Sequence, residues 1–299
     1  TIDSPLCVVS HTNYVFIDTN NNYFPAARAS SFLYDGLVLP KVDVDQKLLS
    51  LSKYSKSEAL NVKNSSTCVF IMAGGKGLRL RPLTASKPKP MLLISNKPIL
   101  HHIIDDFIQY GFRTFYIAVN YLSEHIIDYF GDGSDFNISI NYIREEQPLG
   151  TAGSISTLSK DFSSRLLVIN GDVLTKLNYD ELLNFHENKS SNFTVAARTI
   201  STQIPFGVLN TSGETILSID EKPYTHNLVA GGIYVLEACI QKLIPSSIFY
   251  DMPDLISFAI DSGFKVNAFP VYEQWIDIGS PGSLALAQET WSCTNTDKS

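Results

Sequence analysis

Apolar runs alternate with amphipathic segments along most of the chain, and this alternation predicts the fold class. The runs CVFIMA (68–73), RTFYIAV (113–119) and RLLVIN (165–170) are continuous, which is typical of strands buried on both faces. PILHHIIDDFIQYG (98–111) and YLSEHIIDYFGDG (121–133) instead have apolar residues at helical spacing. Strands joined by such helices predict an α/β fold with a Rossmann-like mixed, mainly parallel sheet flanked by helices.

The pattern changes at both ends of this region. After about residue 193, the close-set runs FTVAAR, FGVLN, ETILSID and GGIYVLE predict an antiparallel or mixed patch of strands. Residues 1–66 are polar with short apolar runs, and within them QKLLSLSKYSKSEALNVKNSS predicts a weak helix followed by a polar linker. We therefore divide the chain into a small N-terminal appendage and linker, residues 1–66, and a main domain, residues 67–299.

The composition narrows the classes of function. The net charge is −7 and no long basic segment offsets it, so we expect no nucleic-acid partner. No apolar run reaches the roughly 18–20 residues that span a bilayer, and TIDSPLCVVS lacks the basic start of a signal peptide. We therefore expect no membrane association. The four cysteines are far apart in sequence, which favours a reducing, cytoplasmic location.

The stretch GGKGLRLRPLTASKPKP (74–90) directly follows the first buried strand and combines backbone freedom with positive charge. Ligands of open parallel sheets bind just beyond the carboxyl ends of the strands. Glycines let backbone N–H groups approach an anion closely, and basic side chains suit phosphate oxygens. The residues concerned are Gly74, Gly75, Gly77, Arg79, Arg81, Lys87 and Lys89. The loop therefore predicts a site for a triphosphate.

Two well-known phosphate loops do not fit this stretch. A Walker A loop needs GxxxxGK[ST], but Gly77 is followed by Leu78 and Arg79. A dinucleotide loop needs GxGxxG, but position 80 is Leu, which argues against a Rossmann oxidoreductase. A tight surface turn with solvated charges is the remaining alternative, and the PKPM that follows makes it the weaker one.

GGKGLRLRPLTASKPKPML resembles the signature of the sugar-1-phosphate nucleotidyltransferases, also called nucleotide-sugar pyrophosphorylases. The resemblance covers residues 67–290 and is nearest to bacterial enzymes similar to mannose-1-phosphate guanylyltransferase, which carry an N-terminal CBS-type module and act in surface-glycan pathways. Further motifs carry it: EEQPLGTAG (145–153), INGD (169–172), DEKP (220–223), GGIYVLE (231–237), FYDMPDL (249–255) and WIDIGSPG (275–282).

The resemblance implies a reaction and its residues. A sugar-1-phosphate oxygen attacks the α-phosphorus of a nucleoside triphosphate and pyrophosphate leaves, so the protein aligns substrates and neutralises charge. Arg79 would grip the β,γ-phosphates, Lys89 would lie near the α-phosphate, and Lys222 would hold the sugar phosphate. Asp172 and Asp277 would hold Mg²⁺, which suits oxygen ligands. The resemblance places the substrates against Ala73, Gly74, Gly75, Gly77, Glu145, Glu146, Gly150 and, at the sugar hydroxyls, Glu221.

Glu145 and Glu146 bear on the choice of base. Guanine presents adjacent N1–H and N2–H donors, which one carboxylate can accept together. Uracil and thymine present one N–H between two carbonyls, which a carboxylate repels. The sequence therefore favours GTP. One of the two glutamates is expected to recognise the base, and the alternative for the other is a solvated strand end. A uridylyl- or thymidylyltransferase of the same family is the alternative, in which both glutamates lie away from the base.

Three departures from the family pattern leave questions open. Leu78 stands where relatives usually have Thr, and Lys76 is the candidate to compensate for the lost hydroxyl. Ala230 stands where many relatives have Asn, which puts hydrogen bonding to the sugar in doubt. Residues 1–66 are too short for a paired CBS module. A non-catalytic regulatory subunit that binds nucleotide-sugar is the alternative from another class, and the oligomeric state stays open, a homo-oligomer included.

Overall fold

The computed structural model of the protein describes residues 6–10, 13–17, 23–25, 38–42, 48–53, 67–159, 162 and 164–292. Five short strands come first: β1 (Leu6–Ser10), β2 (Asn13–Ile17), β3 (Tyr23–Pro25), β4 (Val38–Val42) and β5 (Leu48–Lys53). Strands β1, β2 and β3 form one antiparallel sheet, and β4 pairs antiparallel with β5.

The prediction of a weak helix from Gln46 onward is wrong at its start, because Leu48–Lys53 forms strand β5. LLSLSK alternates Leu and Ser from residue 49 to residue 52, and this period of two matches a strand rather than a helix. The predicted linker and the suggested CBS relationship lie largely outside the described residues, so the boundary at residue 66 stays a prediction.

The main domain is built on a seven-stranded sheet with the order β10-β9-β6-β11-β16-β13-β17. Its strands are β6 (Thr67–Met72), β9 (Thr114–Val119), β10 (Ser139–Arg144), β11 (Arg165–Asn170), β13 (Phe193–Gln203), β16 (Tyr224–Leu236) and β17 (Val266–Pro270). Shorter strands complete the set: β7 (Leu93–Ile94), β8 (Lys97–Pro98), β12 (Val173–Thr175), β14 (Gly207–Ser212), β15 (Thr215–Glu221) and β18 (Trp275–Asp277).

Six of the seven strands of this sheet point the same way. Strands β6, β9, β10 and β11 pair in parallel, β16 runs against both β11 and β13, and β17 is parallel to β13. This arrangement confirms the predicted mixed, mainly parallel sheet, including the antiparallel patch after residue 193. The parallel strands all end at one edge, where the residues that follow them gather.

Helices cover both faces of the sheet. They are α1 (Ile99–Gln109), α2 (Glu124–Phe130), α3 (Gly150–Gly153), α4 (Tyr179–Asn188), α5 (Ala238–Gln241), α6 (Met252–Asp261) and α7 (Pro281–Ser292). Side chains alternate across each buried strand, so Val69 and Ile71 join a core with α1, α2, α4 and α7, whereas Phe70 joins a second core with α3, α5 and α6. Burying each such side chain stabilises the fold by about 1.5–3 kcal/mol.

A two-stranded ribbon leaves the sheet. Beyond Ala197 and Ala230, β13 and β16 pair only with each other, and β14 and β15 continue them as a hairpin. Most ribbon residues beyond Ala197 are exposed. The register shifts between Ala196 and Ala197, which places a bulge where the ribbon departs.

In the described part of the chain, no helix is long and apolar enough to cross a membrane.

Candidate active site

The glycine-rich loop folds back on itself just after β6. Gly77 has a φ of +60°, and a Cβ there would lie 3.0 Å from both the Cβ of Lys89 and the Cγ2 of Thr84. The Thr84 hydroxyl donates to the carbonyl of Gly77 at 2.8 Å. Gly77 is therefore required because the returning chain passes directly over it, and the fold-back carries Lys89 into the site.

A short pair of strands brings two carboxylates together. Strands β12 and β18 pair antiparallel with Val173 opposite Asp277, and the Ile278 N–H donates to the Asp172 carbonyl at 2.9 Å. Asp172 follows β11 at the carboxyl edge of the sheet, whereas Asp277 comes from far later in the chain. The pairing makes them neighbours.

The two carboxylates interact with each other and with two cations. Desolvation, followed by the charge of Asp172, raises the pKa of Asp277, while the charges of Lys89 and Arg79 lower it. Lys89 forms an ion pair with Asp172. A Cβ on Gly279 would lie 3.4 Å from Arg79 Nη2 and 3.4 Å from Asp277 Oδ1, so the guanidinium lies beside the second carboxylate. Four predicted residues thus meet at one place.

A cavity of about 280 Å³ opens beside them at the carboxyl edge of the sheet. Five of the residues predicted from the sequence line it: Gly74, Gly75, Glu145, Gly150 and Asp172. Ala73 lies just behind its wall, nearly fully buried, with its N–H donating to the Ala118 carbonyl at 2.9 Å.

Glu145 directly follows β10 and points its side chain at the glycine-rich loop. Its N–H donates to the Val119 carbonyl at 3.0 Å, and its carbonyl accepts from Asn120 Nδ2 at 2.7 Å. A Cβ on Gly74 would lie 3.1 Å from Glu145 Oε2. Burial raises the pKa of Glu145. The Glu145 side chain therefore lies partly buried in the cavity wall, beside Gly74.

Gly150 begins α3 on the next wall. Its φ is +79°, and a Cβ there would lie 2.6 Å from the Tyr250 carbonyl oxygen. The segment before α6 fastens this turn: the Ala152 and Gly153 N–H groups donate to the Tyr250 carbonyl, and Asp251 accepts from the Thr151 N–H at 2.9 Å. The close packing of two backbones explains the glycine.

Eight predicted residues do not line the cavity: Ala73, Gly77, Arg79, Lys89 and Asp277, whose positions are given above, and Glu146, Glu221 and Lys222. Glu146 is exposed next to Glu145, which identifies Glu145 as the glutamate that reaches the cavity. Glu221 and Lys222 lie on the ribbon with mostly exposed side chains, and their charged ends are 4.0 Å apart. Lys222 has a φ of +49° at the joint between β15 and β16.

The structure adds residues that sequence reasoning did not assign. Phe249 and Asn170 line the cavity, as do Met72, Pro148 and Thr151. Phe249 and Asn170 fall in the motifs FYDMPDL and INGD, so position within a motif was the available signal. A Cβ on Gly232 would lie 2.7 Å from Asn170 Nδ2, which places an amide side chain close to the strand that carries Ala230. Leu78 is exposed and fills no core space.

The carboxylate pair has the donor set that Mg²⁺ accepts. Among the described residues, no group of three or more His, Cys, Asp or Glu side chains is arranged to hold a metal ion. Mg²⁺ commonly takes only one or two carboxylates and completes its shell with waters and substrate phosphates. Asp172 and Asp277, repelling each other beside Arg79 and Lys89, fit an ion that arrives with a triphosphate.

The sequence profile of the nucleotidyl transferase family matches residues 68–292. The bifunctional protein GlmU of Methanococcus maripaludis is 36% identical over 228 residues, 73% of this chain and 53% of GlmU. The UTP–glucose-1-phosphate uridylyltransferase of Synechocystis is 31% identical, covering 70% of this chain and 59% of that protein. The mannose-1-phosphate guanylyltransferase of Mycobacterium tuberculosis is 32% identical, covering 71% and 60% respectively.

The chain spans a little over half the length of these curated relatives. Among solved structures, HddC from Yersinia pseudotuberculosis complexed with GMP-PN has a TM-score of 0.58 and 26% identity, covering 75% of this chain and 99% of that chain. The family match includes the glycine-rich loop and both carboxylates, and it confirms the family resemblance: the chain belongs to the nucleotidyl transferase family.

Proposed function

We propose that the chain transfers a nucleotidyl group, GMP from GTP by preference, to a sugar-1-phosphate in a Mg²⁺-dependent reaction. An oxygen of the sugar phosphate forms a bond to the α-phosphorus, and the bond from that phosphorus to the bridging oxygen breaks. Pyrophosphate leaves with the electron pair, so no proton transfer to carbon and no redox step is involved. The products are a nucleotide-diphospho-sugar and pyrophosphate.

The observation that carries this proposal is the meeting of Arg79, Lys89, Asp172 and Asp277 beside the cavity. Phosphoryl transfer asks the protein mainly for positioning and charge neutralisation. Two cations next to two carboxylates supply both, with Mg²⁺ drawing negative charge from the phosphates when it is bound. A regulatory subunit without activity has no need of this arrangement, so it supports an enzyme.

Within this reaction, the residues have separate roles. Lys89 is nearly buried and pairs with Asp172. We assign it to the charge that develops at the α-phosphate. Arg79 is exposed at the mouth of the loop, which suits a grip on the departing β- and γ-phosphates. Lys222 and Glu221 lie on the ribbon, and we assign them to the sugar phosphate and the sugar hydroxyls.

The preference for guanine rests on Glu145. Its carboxylate lies against Gly74 inside the cavity, whereas Glu146 is exposed. An ionised carboxylate only accepts hydrogen bonds, which matches the two adjacent donors of guanine and opposes the carbonyls of uracil and thymine. HddC, a related protein, was crystallised with a guanine nucleotide analogue, which supports this choice. Because one of the relatives is a uridylyltransferase, UTP is the competing candidate substrate.

The test is pyrophosphate release with Mg²⁺, for four nucleoside triphosphates against mannose-, glucose-, glucosamine- and N-acetylglucosamine-1-phosphate. We expect turnover with GTP and its loss in EDTA. Glu145→Gln presents a donor and an acceptor, so it should lower the GTP to UTP ratio of kcat/KM by about tenfold or more. Glu146→Gln is the matched control and should keep the wild-type ratio.

The outcomes separate the parts of the proposal. Wild-type turnover with UTP or dTTP in place of GTP would retain the reaction and reject the guanine preference. If the enzyme uses GTP but its base preference changes in Glu146→Gln and not in Glu145→Gln, Glu145 is not the residue that recognises the base. No turnover with any pair, together with binding of a nucleotide-sugar, would favour the regulatory subunit.

A further inference from the structure

Asn170 has a side-chain amide at the cavity that the fold itself does not use. It is the last residue of β11, lines the cavity and is partly buried. Within the described residues its amide forms no hydrogen bond, whereas the amide of Asn120, which follows β9, donates to the Glu145 carbonyl at 2.7 Å. A side-chain amide presents an acceptor beside two donors. The Asn170 amide is therefore available to a ligand in the cavity.

The neighbouring strand fixes where this amide lies. Ile169 of β11 pairs with Ile233 of the antiparallel β16, so Asn170 lies opposite Gly232. A Cβ on Gly232 would lie 2.7 Å from Asn170 Nδ2 and 3.0 Å from Asn170 Cγ. The amide therefore lies directly against the Gly232 backbone, in space that any other residue at position 232 would fill.

The order of the strands separates Asn170 from the base. Glu145, which we assign to the base, follows β10, and Asn170 ends β11, three places away in the order β10-β9-β6-β11. Because neighbouring strands lie about 4.8 Å apart, about 14 Å separates these two strand ends. The glycine-rich loop follows β6, between them. In the proposed reaction, Asn170 and the base thus lie on opposite sides of the triphosphate.

The features on the far side of Asn170 belong to the sugar end of the proposed reaction. Asp172, two residues later, pairs with Lys89 where we place the reacting phosphates. The next strand of the sheet is β16, which continues into the ribbon that we assign to the sugar. At the foot of the ribbon, residues 230–232 are Ala-Gly-Gly, without a hydrogen-bonding side chain. Asn170 supplies such a side chain where β16 supplies none.

We propose that Asn170 is a specificity-determining residue, which binds two neighbouring hydroxyl groups of the sugar in the sugar-1-phosphate. The inference deepens the proposed function and rests on it, but it holds for either base. The amide oxygen accepts from one hydroxyl, and the amide nitrogen donates to its neighbour. Because the amide is packed on Gly232, the directions of both bonds are fixed. A sugar that lacks either hydroxyl leaves an amide group unpaired and is bound more weakly.

The first experiment measures calorimetric binding of GDP, GDP-mannose, UDP and UDP-glucose to wild type, Asn170→Leu and Asn170→Ala. Each nucleotide-sugar differs from its diphosphate by the sugar, so the comparison isolates contacts to the sugar. We expect both variants to bind the preferred nucleotide-sugar about tenfold more weakly and to bind its diphosphate as wild type does. Asn141→Leu, at an exposed asparagine of β10 outside the cavity, is the matched control.

The second experiment tests direct contact with the hydroxyls. It measures kcat/KM for mannose-1-phosphate or glucose-1-phosphate, whichever is used better, and for the monodeoxy analogues of that sugar. Wild type should lose about tenfold with each analogue that lacks a bound hydroxyl. Asn170→Leu should use the complete sugar and these analogues equally well. A residue that acted only through the fold would leave this discrimination unchanged.

The outcomes distinguish this inference from the proposed function. If the Asn170 variants weaken a diphosphate and its nucleotide-sugar equally, or weaken neither, the assignment of Asn170 to the sugar is overturned while the proposed function stands. Wild-type discrimination against the deoxy analogues in Asn170→Leu overturns it as well. If wild type neither binds nor uses any of these compounds, the proposed function fails and the inference fails with it. If the leucine variant does not fold, the smaller alanine decides.

Discussion

Lys89 and Asp172 form an ion pair although 83 residues separate them in sequence. Lys89 is nearly buried, so its ammonium has little access to water and depends on this carboxylate. The same ammonium also lowers the pKa of Asp277. One cation thus offsets part of the charge of two repelling carboxylates. In the proposed reaction, Mg²⁺ at these carboxylates would leave Lys89 to act on phosphate.

Lys89→Ala should lower turnover far more than it weakens nucleotide binding. The cation acts on charge that develops at the α-phosphate in the transition state. Its loss should therefore raise the activation barrier and lower kcat by about 10²-fold or more, with little effect on the binding of GTP. Steady-state kinetics and calorimetric binding of GTP measure the two effects separately. Lys242→Ala, at an exposed lysine just after α5, is the control for general charge loss. Equal losses in kcat and in binding would assign Lys89 to ground-state binding.

Asp277→Asn should stabilise the protein in EDTA while removing Mg²⁺-dependent turnover. Desolvation and Asp172 raise the pKa of Asp277, so its ionised form is unfavourable in the fold. Asparagine removes that repulsion, and because the site is partly open to solvent we expect a gain of about 1 kcal/mol or less, roughly 2–4 °C in the melting midpoint. Thermal unfolding and pyrophosphate release provide the two readouts.

The pH dependence of this stabilisation has a definite sign. A raised pKa means that the folded state binds the Asp277 proton more tightly, so the cost of ionisation is present at neutral pH and is relieved as pH falls through that pKa. The advantage of the asparagine variant should therefore shrink on acidification. Asp172→Asn should also abolish turnover and leave the fold intact. It should not raise the melting midpoint comparably, because it removes the carboxylate that pairs with Lys89. Mg²⁺-dependent activity in either variant would remove that carboxylate from the metal site.

Gly150→Ala should destabilise the protein more than Gly263→Ala does. Both glycines have φ near +80°, so alanine costs about 1–2 kcal/mol at either position. Nothing lies within 4 Å of a Cβ at Gly263, whereas at Gly150 the Cβ meets the Tyr250 carbonyl at 2.6 Å, which should add about 1–3 kcal/mol. Urea unfolding compares the two, and KM for GTP should rise only for Gly150→Ala. Equal destabilisation would mean that the turn relaxes freely.

Much of the fold could be predicted because its signals are local. The buried strands Thr67–Met72, Thr114–Val119 and Arg165–Asn170 are continuous apolar runs, and parallel pairing follows from the helices between them. The strand Leu48–Lys53 was misassigned because an isolated run of leucine and serine satisfies a helical pattern about as well as an alternating one.

The site was less accessible to prediction because its geometry comes from distant pairings. The choice between Glu145 and Glu146 depends on which side chain leaves the strand toward the cavity, and a single sequence without the register of β10 leaves both open. Phe249 reaches the cavity only because the backbone before α6 is bonded to Gly153.

Lys222→Ala tests whether the ribbon takes part in the reaction. Lys222 lies where β15 meets β16; its N–H donates to the Phe206 carbonyl at 3.3 Å and its side chain is 58% exposed. Alanine keeps the backbone bond and removes no buried contact, so stability should change by less than about 0.5 kcal/mol. If Lys222 binds the sugar phosphate, KM for the sugar-1-phosphate should rise about tenfold or more while GTP binding is unchanged. Lys189→Ala, at an exposed lysine after α4, is the control for general charge loss. Wild-type kinetics in Lys222→Ala would place the sugar phosphate elsewhere, whereas weakened GTP binding would move Lys222 to the nucleotide side of the site.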